Sequence, residues 1–273
     1  LLHRWNGKAG GRIRYGFAPR WQLWNTDGLL REIRTESDRH DVGVHGHAGE
    51  IQYEVPAMLH QRGRRNLKYL EHIGLVGPRV QMAHCIWLDD DELDVLSETG
   101  THVMHCPCCN LKLGSGIARI PEMLARGISV SLGSDGAPSN NNLDMFIEMR
   151  VASLIHKYRL GAEALPAREV LGMATKGGAA ALGLSDQIGS LEPEKKADLI
   201  ILDDGGVHAA PIMDFELDDP VERIVSAFQS ASVRTSIING QIVMDNRKLV
   251  SMDEEDVIEK ARVALRTLHE AAS

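Results

Sequence analysis

Short apolar runs alternate with longer amphipathic segments between residues 12 and 158. The apolar runs predict five strands, at 12–18, 42–48, 79–85, 102–106 and 128–134. The segments that follow them predict helices, near 26–40, 54–73, 89–99, 119–126 and 142–158. Because strands separated by helices pair in parallel through crossover connections, the pattern predicts an α/β fold built on a parallel sheet.

The side chains of these strands alternate between an aliphatic face and a small or polar face. Val42 and Val44 share one face of the second strand, whereas His45 and His47 share the other. The run at 128–134 alternates in the same way. Such strands are typical of a barrel, with aliphatic side chains outward against helices and polar side chains inward toward a site.

The pattern changes after residue 160. An Ala/Gly-rich helical stretch is predicted at 166–183, and short strands are predicted at 197–202, 233–238 and 241–244. Asn239-Gly240 joins the last two strands and is a strong signal for a two-residue hairpin. The tail at 253–271 predicts an amphipathic, charged helix.

Composition narrows the class of protein. The chain has 273 residues, a formal net charge of −8, 43% hydrophobic and 25% charged residues, which is normal for a soluble globular protein. The acidic balance argues against nucleic-acid and membrane-surface partners, and no apolar run approaches the roughly 18 residues of a membrane span. Three of the four cysteines are almost adjacent and cannot staple a chain this long, so we expect a cytoplasmic protein.

Side chains that bind metals or carry protons fall at or just past strand ends. They are His47 with Glu50, His84, the segment 105–110, and Asp135. In a parallel α/β barrel these strand ends form the active-site face. Imidazole and carboxylate ligands converging there suit zinc or ferrous iron, and Glu50 could handle protons for a bound water.

Structural roles are the alternative for each of these residues taken alone. His84 could be a hydrogen-bonded structural histidine, and Asp135 could cap the following helix. We assign structural roles to His102 and His105, which point to opposite faces of one strand, and we place His156 at the surface. The CPCC segment contains a CxxC, but no second pair exists, so we interpret its cysteines as small buried residues.

Five segments of the sequence carry a family resemblance. They are HAGE (47–50), AHCIWLDDDEL (83–93), HCPCCNLKLGSGIA (105–118), GSDGAPSNNNLDMFIEMR (133–150) and GSLEPEKKADLIILD (189–203). Together they resemble the amidohydrolase superfamily, in particular the branch of methylthioadenosine/S-adenosylhomocysteine deaminases and triazine chlorohydrolases. The likeness runs from about residue 12 to about residue 249.

The resemblance implies a (β/α)8 TIM barrel, of which residues 1–185 would carry strands four to eight. Residues 186–250 would form part of a small C-terminal β-sandwich domain, and residues 251–273 a C-terminal helix. The family's His-x-His metal ligands lie on strand one. His45 and His47 match strand five better, because only three further barrel strands follow them. Since the chain also lacks an initiator Met, we expect it to be the C-terminal part of a longer enzyme.

The resemblance also implies an activity, the hydrolytic deamination of an aminated nitrogen heterocycle such as methylthioadenosine, S-adenosylhomocysteine or another purine. His47 and Asp135 would bind one divalent metal ion, zinc first and ferrous iron second. Glu50 would contact the substrate ring and shuttle protons. His84 would orient the attacked group and water, and Asp135 would act as the base toward that water. These last three residues would also bind the substrate, and His45 would lie in a second layer.

Departures from the family pattern keep alternatives open. Cys108 and Cys109 stand where the family usually has small residues such as Ser or Ala, and Glu194 replaces a common turn glycine. Glu50 favours deamination, because related triazine chlorohydrolases can lack an acid there. The alternatives are hydrolytic dechlorination or deamination of triazine-like rings, and a non-catalytic chain without the His-x-His ligands. We expect the isolated chain to be inactive and the full-length parent to be capable of forming a homo-oligomer.

Overall fold

Five parallel strands form the principal sheet of the protein. The computed structural model describes residues 1–203 and 219–272. The strands lie in chain order across the sheet. They are β1 (Gly16–Trp21), β2 (Gly43–Ala48), β3 (Val80–His84), β4 (His102–His105) and β5 (Val130–Leu132). The predicted α/β arrangement is confirmed, although β1 begins at Gly16 rather than at residue 12.

Helices follow each strand of this sheet. They are Asp27–His40 after β1, Glu54–Arg62 and Asn66–Ile73 after β2, Asp90–Thr99 after β3, Pro107–Lys112 and Ile120–Ala125 after β4, and Ala137–Asn140 and Met145–Leu160 after β5. The single helix predicted at 54–73 is wrong. Gly63 adopts a left-handed φ of 67° and ends the first of two helices, its N–H donating to the Leu59 carbonyl at 3.0 Å.

The hydrophobic core lies between one face of the sheet and these helices. Val44 pairs with Val80, and Val103 pairs with Val130, so their side chains share that face. All four valines are at most 4% exposed, and they belong to one apolar cluster with helix side chains such as Leu67. The alternation predicted from the sequence therefore leaves the small and polar side chains of the strands on the opposite face.

The Ala/Gly-rich stretch packs closely on the sheet. It forms helix Ala167–Gly172, a π-helical turn Met173–Gly177 and helix Gly178–Ala181. A Cβ at Gly177 would clash with the carbonyl oxygen of Val130 in β5. The glycine is therefore required for the backbone of the π turn to approach the strand.

A second, antiparallel sheet follows. Its strands are β6 (Leu199–Leu202), β7 (Val233–Ile238), β8 (Gln241–Asp245) and β9 (Lys248–Leu249), paired in that order. Asn239 and Gly240 turn between β7 and β8 with φ values of 51° and 75°, which confirms the predicted hairpin. Helix Pro220–Ser226 packs against Met145–Leu160 and Ala167–Gly172.

The predicted C-terminal helix is confirmed as Glu254–Ala272, and its side chains up to Ala271 are exposed. Within residues 1–203 and 219–272, no helix combines the length and the apolar character needed to cross a membrane.

Candidate active site

Four side chains singled out from the sequence meet at one edge of the parallel sheet. His47 lies near the end of β2, Glu50 follows it, His84 ends β3 and Asp135 follows β5. The rings of His47 and His84 have centroids 5.3 Å apart. The Nε2 atom of His84 lies 3.8 Å from Glu50 Oε2 and 3.9 Å from Asp135 Oδ2. The structure thus brings together residues that are up to 88 positions apart (47 to 135).

His84 reaches this edge through an unusual backbone conformation. In the register it pairs with Ala48, whose side chain is buried on the core face. His84 has a φ of 72° and Cys85 a φ of 51°, values that cost about 1–2 kcal/mol for a non-glycine residue. These two residues break the strand's alternation at its last position. Strain of this kind persists where the surrounding structure holds it, and it occurs often at functional sites.

Asn110 fixes the tautomer of the neutral His84 ring. The Nδ1 atom of His84 lies 2.8 Å from Asn110 Oδ1, so the imidazole N–H donates to the amide oxygen. In the neutral ring Nε2 then carries a lone pair. The ring is fully buried, and Nε2 has no hydrogen-bond partner among the described residues. Nε2 is therefore available to a water or substrate atom lying between Glu50 and Asp135.

Asp135 is held in its ionised form. It has a φ of 62°, its Oδ1 accepts from the N–H of Gly136 at 2.5 Å, and its Oδ2 accepts from Cys109 Sγ at 2.8 Å. Burial raises the pKa of Asp135, but these two hydrogen bonds and the nearby His84 and His47 lower it below its ordinary value on balance. Asp135 does not cap the next helix, which begins after Gly136.

His47 is neutral near pH 7. Burial, followed by the neighbouring His84 and His45, lowers its pKa to about 4 against the opposing effect of the hydrogen bond to Arg20. Its Nδ1 lies 3.2 Å from the carbonyl oxygen of Arg20 in β1, so Nδ1–H donates there and Nε2 keeps a lone pair. Neutral imidazole with a free nitrogen is the form that binds metal ions.

The other histidines considered from the sequence lie outside this cluster or beside it. The His45 ring is 5.9 Å from that of His47. His102 bonds to Ser129 Oγ at 2.8 Å and to the carbonyl oxygen of Pro78 at 3.1 Å, at the other end of β4. The surface position predicted for His156 is wrong, because helix Met145–Leu160 turns it inward.

His156 is fully buried, and its ring lies 5.8 Å from that of His105, which is also fully buried. The two rings meet between β4 and helix Met145–Leu160, on the core side of the sheet. Both ring nitrogens of each histidine have no hydrogen-bond partner among the described residues.

Sequence reasoning missed two contacts of the helix that follows β4. Asn110 was given no role of its own within the segment 105–110, and Cys109 was interpreted only as a small buried residue, yet they contact His84 and Asp135 respectively. The available signal was their position just past a strand end in the resembling HCPCCN segment. Cys106 and Cys109 are buried and Cys108 is half-buried, all three as free thiols, which agrees with the interpretation as small buried residues.

The described residues supply only some of the ligands that a metal ion would need. His47 offers a neutral imidazole and Asp135 an ionised carboxylate. Within residues 1–203 and 219–272 there is no group of three or more His, Cys, Asp or Glu side chains placed to hold a metal ion. The donor types fit zinc or iron, whereas the number of ligands is short of the three that catalytic zinc sites usually have.

A cavity of about 780 Å³ lies next to the cluster but does not contain it. It is lined by residues that follow β2 and β3, together with two arginines: Gln52, Tyr53, Val55, Pro56, Arg65, Ile86, Trp87, Leu88 and Arg119. Neither His47 nor His84 lines it. The chemistry of the candidate site therefore rests on the strand-end cluster and not on this cavity.

Comparison with known proteins agrees with this arrangement. The profile of the Amidohydrolase family matches residues 2–243. The chain is 42% identical over 269 residues to a 5'-deoxyadenosine deaminase of Methanosarcina acetivorans, covering 98% of this chain and 61% of the relative. It is 40% identical over 269 residues to a 5-methylthioadenosine/S-adenosylhomocysteine deaminase of Syntrophobacter fumaroxidans, covering 98% and 60%.

Solved structures share the fold. A zinc-bound adenosine deaminase from Xanthomonas campestris superposes with a TM-score of 0.91 at 32% identity, over 97% of this chain and 59% of the other. An atrazine chlorohydrolase from Arthrobacter aurescens complexed with zinc has a TM-score of 0.85 at 28% identity, over 93% and 55%. The chain spans about 60% of the length of the curated relatives it matches. On the profile match and these identities, the chain belongs to the amidohydrolase family.

Proposed function

We propose that the chain is part of a zinc-dependent hydrolase that removes the amino group from the purine ring of an adenosine derivative. The observation that carries the proposal is the cluster around His84 Nε2, which lies within 4 Å of carboxylate oxygens of Glu50 and Asp135. A buried imidazole between two carboxylates is equipped to orient water and move protons. The names of the deaminase relatives support an adenosine derivative as the substrate.

The five parallel strands are proposed to be strands four to eight of a (β/α)8 barrel. Within the described residues β1 and β5 each pair with one neighbour only, and a closed barrel needs both edges paired. The antiparallel sheet β6–β9 would be part of a small β-sandwich domain. On this proposal the units are residues 1–185, 186–250 and 251–273.

His47 and Asp135 would hold one divalent metal ion, with zinc preferred over ferrous iron because solved relatives contain zinc. When bound, such an ion acts as a Lewis acid that activates water and polarises the substrate. The neutral imidazole and the ionised carboxylate are the required ligand forms. The missing ligands would come from a His-x-His pair on strand one, which in a closed barrel lies beside strand eight, at the free edge of β5.

The residues of this chain would divide the proton transfers between them. Asp135 takes a proton from the attacking water, whose oxygen bonds to the ring carbon that carries the amino group. Glu50, in its protonated form, donates to the adjacent ring nitrogen. His84, held by Asn110, orients the water through Nε2. The bond between carbon and the amino nitrogen then breaks, and the proton held by Asp135 leaves with the nitrogen as ammonia. The hydroxyl proton passes to Glu50, which leaves a ring carbonyl and restores the protonated Glu50.

Hydrolytic dechlorination of a triazine-like ring is the second candidate, supported by the fold similarity to the atrazine chlorohydrolase. The two reactions share water attack on an aromatic ring carbon and differ in the leaving group. A non-catalytic role is the third reading, supported only by the short ligand set within the described residues.

An ammonia-coupled assay of the gene product would decide between these functions. The panel contains adenosine, 5'-deoxyadenosine, methylthioadenosine, S-adenosylhomocysteine, guanine and chlorinated and aminated triazines. Ammonia release from an adenosine derivative is the expected result. Chloride release without ammonia release would favour dechlorination, and no turnover with zinc fully bound would favour the non-catalytic reading.

A further inference from the structure

A buried carboxylate lies directly beneath the turn that carries Glu50. Glu54 is the first residue of helix Glu54–Arg62 and is 1% exposed. Its Oε1 accepts from the N–H of Glu50 at 2.7 Å and from the N–H of Ile51 at 3.1 Å. Its Oε2 accepts from the N–H of Gly49 at 2.9 Å and from Asn66 Nδ2 at 2.7 Å. Both carboxylate oxygens are therefore fully used by four neutral N–H donors.

The geometry requires an acceptor-only side chain. A carboxylate offers two oxygens and no donor, whereas a glutamine at the same place would direct its NH₂ group at two N–H donors. Burial raises the pKa of Glu54, and the hydrogen bonds from Ile51, Glu50, Gly49 and Asn66 oppose that rise. Burying a carboxylate costs free energy unless its hydrogen bonds are complete. A buried carboxylate with a complete set of hydrogen bonds to this turn therefore indicates that the turn has to be held in one conformation.

The turn is also fastened from its other side. Gly49 has a φ of 58°, and its carbonyl oxygen accepts from the N–H groups of Ile86 and Trp87, both at 3.0 Å, just past the end of β3. The backbone just before Glu50 is thus tied to the segment that follows His84. The position of this backbone determines where the Glu50 carboxylate lies relative to His84 Nε2, now 3.8 Å away.

We propose that Glu54 is a positioning residue, whose carboxylate holds the backbone of Gly49, Glu50 and Ile51 so that the Glu50 side chain meets the substrate ring. The expected effect of Glu54 on turnover rests on the proposed function. The expected effect of Glu54 on the backbone of the turn rests on the hydrogen bonds alone. Glu54 itself does not touch the reacting atoms. Removing its acceptor should let Glu50 drift, and a displacement of about 1 Å can cost on the order of 10²-fold in rate.

The next helix provides a matched control. Glu92 is fully buried in the first turn of Asp90–Thr99 and accepts from the N–H of Leu67 at 2.9 Å and from Arg65 Nε at 2.8 Å. Like Glu54 it is a buried carboxylate near a helix start, but its contacts hold neighbouring helices together. Glu92→Gln should therefore reproduce the general cost of altering a buried glutamate without disturbing Glu50.

The test compares Glu54→Gln with Glu92→Gln in the zinc-loaded gene product. For Glu54→Gln we expect kcat to fall about 10- to 100-fold, less than the roughly 10²–10⁴-fold lost when an acid is removed altogether. Zinc content should stay at the wild-type value, and amide hydrogen exchange should accelerate in the peptide containing residues 49–51. Glu92→Gln should leave kcat and that exchange unchanged.

A double substitution separates positioning from general damage. With Glu50→Gln already present, Glu54→Gln should cost little more in kcat, because the carboxyl group that it positions has been replaced by an amide that cannot donate the proton. Multiplicative losses, or wild-type exchange at 49–51 in Glu54→Gln, would overturn the proposal. If Glu54→Gln does not fold, Asn66→Ala removes one donor only and should show the same two effects at smaller size. If the wild type releases no ammonia, the proposed function fails, and the exchange measurement alone decides the positioning role.

Discussion

His156 should make the protein acid-labile. Its ring is fully buried beside that of His105, and burial, then the nearby Arg159, lower its pKa to about 4 from an ordinary value of 6.5. In the unfolded chain the same histidine takes up a proton as the pH falls below 6.5. The unfolded state therefore binds more protons than the folded state between pH 6.5 and about 4, and stability is lost as the pH falls through that window.

The size of this loss follows from the two pKa values. Between pH 7 and pH 5, linkage gives a loss of about 2 kcal/mol of unfolding free energy for His156. His105, whose pKa burial lowers to about 3, should lose about as much over the same interval. The two together remove about 4 kcal/mol, a large part of the 5–15 kcal/mol typical of a domain.

Substituting His156→Leu should remove half of this pH dependence. We would measure urea unfolding of the gene product, wild type and variant, at pH 7, 6 and 5, with His60→Leu on an exposed helix position as the control. Burial raises the pKa values of Glu54 and Glu92, which act in the opposite direction, but they contribute equally to both proteins and cancel in the difference. The variant should lose about 2 kcal/mol less than wild type between pH 7 and pH 5. Equal losses in both proteins would refute the reasoning.

Further predictions concern the site, one turn and the sheet edges. Glu50→Gln should keep its zinc and lose about 10²–10⁴-fold in kcat, and wild-type kcat would contradict the proton-shuttle role. His47→Ala should lower zinc content by elemental analysis, and full zinc content would contradict the ligand assignment. Glu194 is exposed with a φ of 73°, so Glu194→Gly should raise stability by about 0.5 kcal/mol in urea unfolding, whereas a loss would contradict strain at this turn. Residues 1–273 expressed alone should aggregate and release no ammonia, because β1 and β5 each have one neighbour in the described sheet. A product that is monomeric in size-exclusion chromatography, contains zinc and releases ammonia would contradict this.

The sequence by itself determined the order and type of most elements. Apolar runs of strand length separated by amphipathic segments predicted all five parallel strands, and Asn239-Gly240 predicted the hairpin, because both signals act over a few neighbouring residues. The same local reasoning placed His47 and Asp135 at strand ends. The single helix at 54–73 was wrong because the periodic pattern continues past Gly63, whereas the backbone there turns left-handed.

Only the tertiary structure decided which side chains meet. Asn110 bonds to His84, and Cys109 to Asp135, across 26 positions in each case. Asn110 and Cys109 lie on the short helix Pro107–Lys112, whereas His84 ends β3 and Asp135 follows β5. Their contacts therefore depend on sheet register and on the placement of that helix. His84 points into the site only because its positive φ breaks the alternation that predicts its direction. The surface position predicted for His156 was wrong for a different tertiary reason. The face that a helix buries is set by the elements that pack against it, and helical periodicity alone does not determine that face.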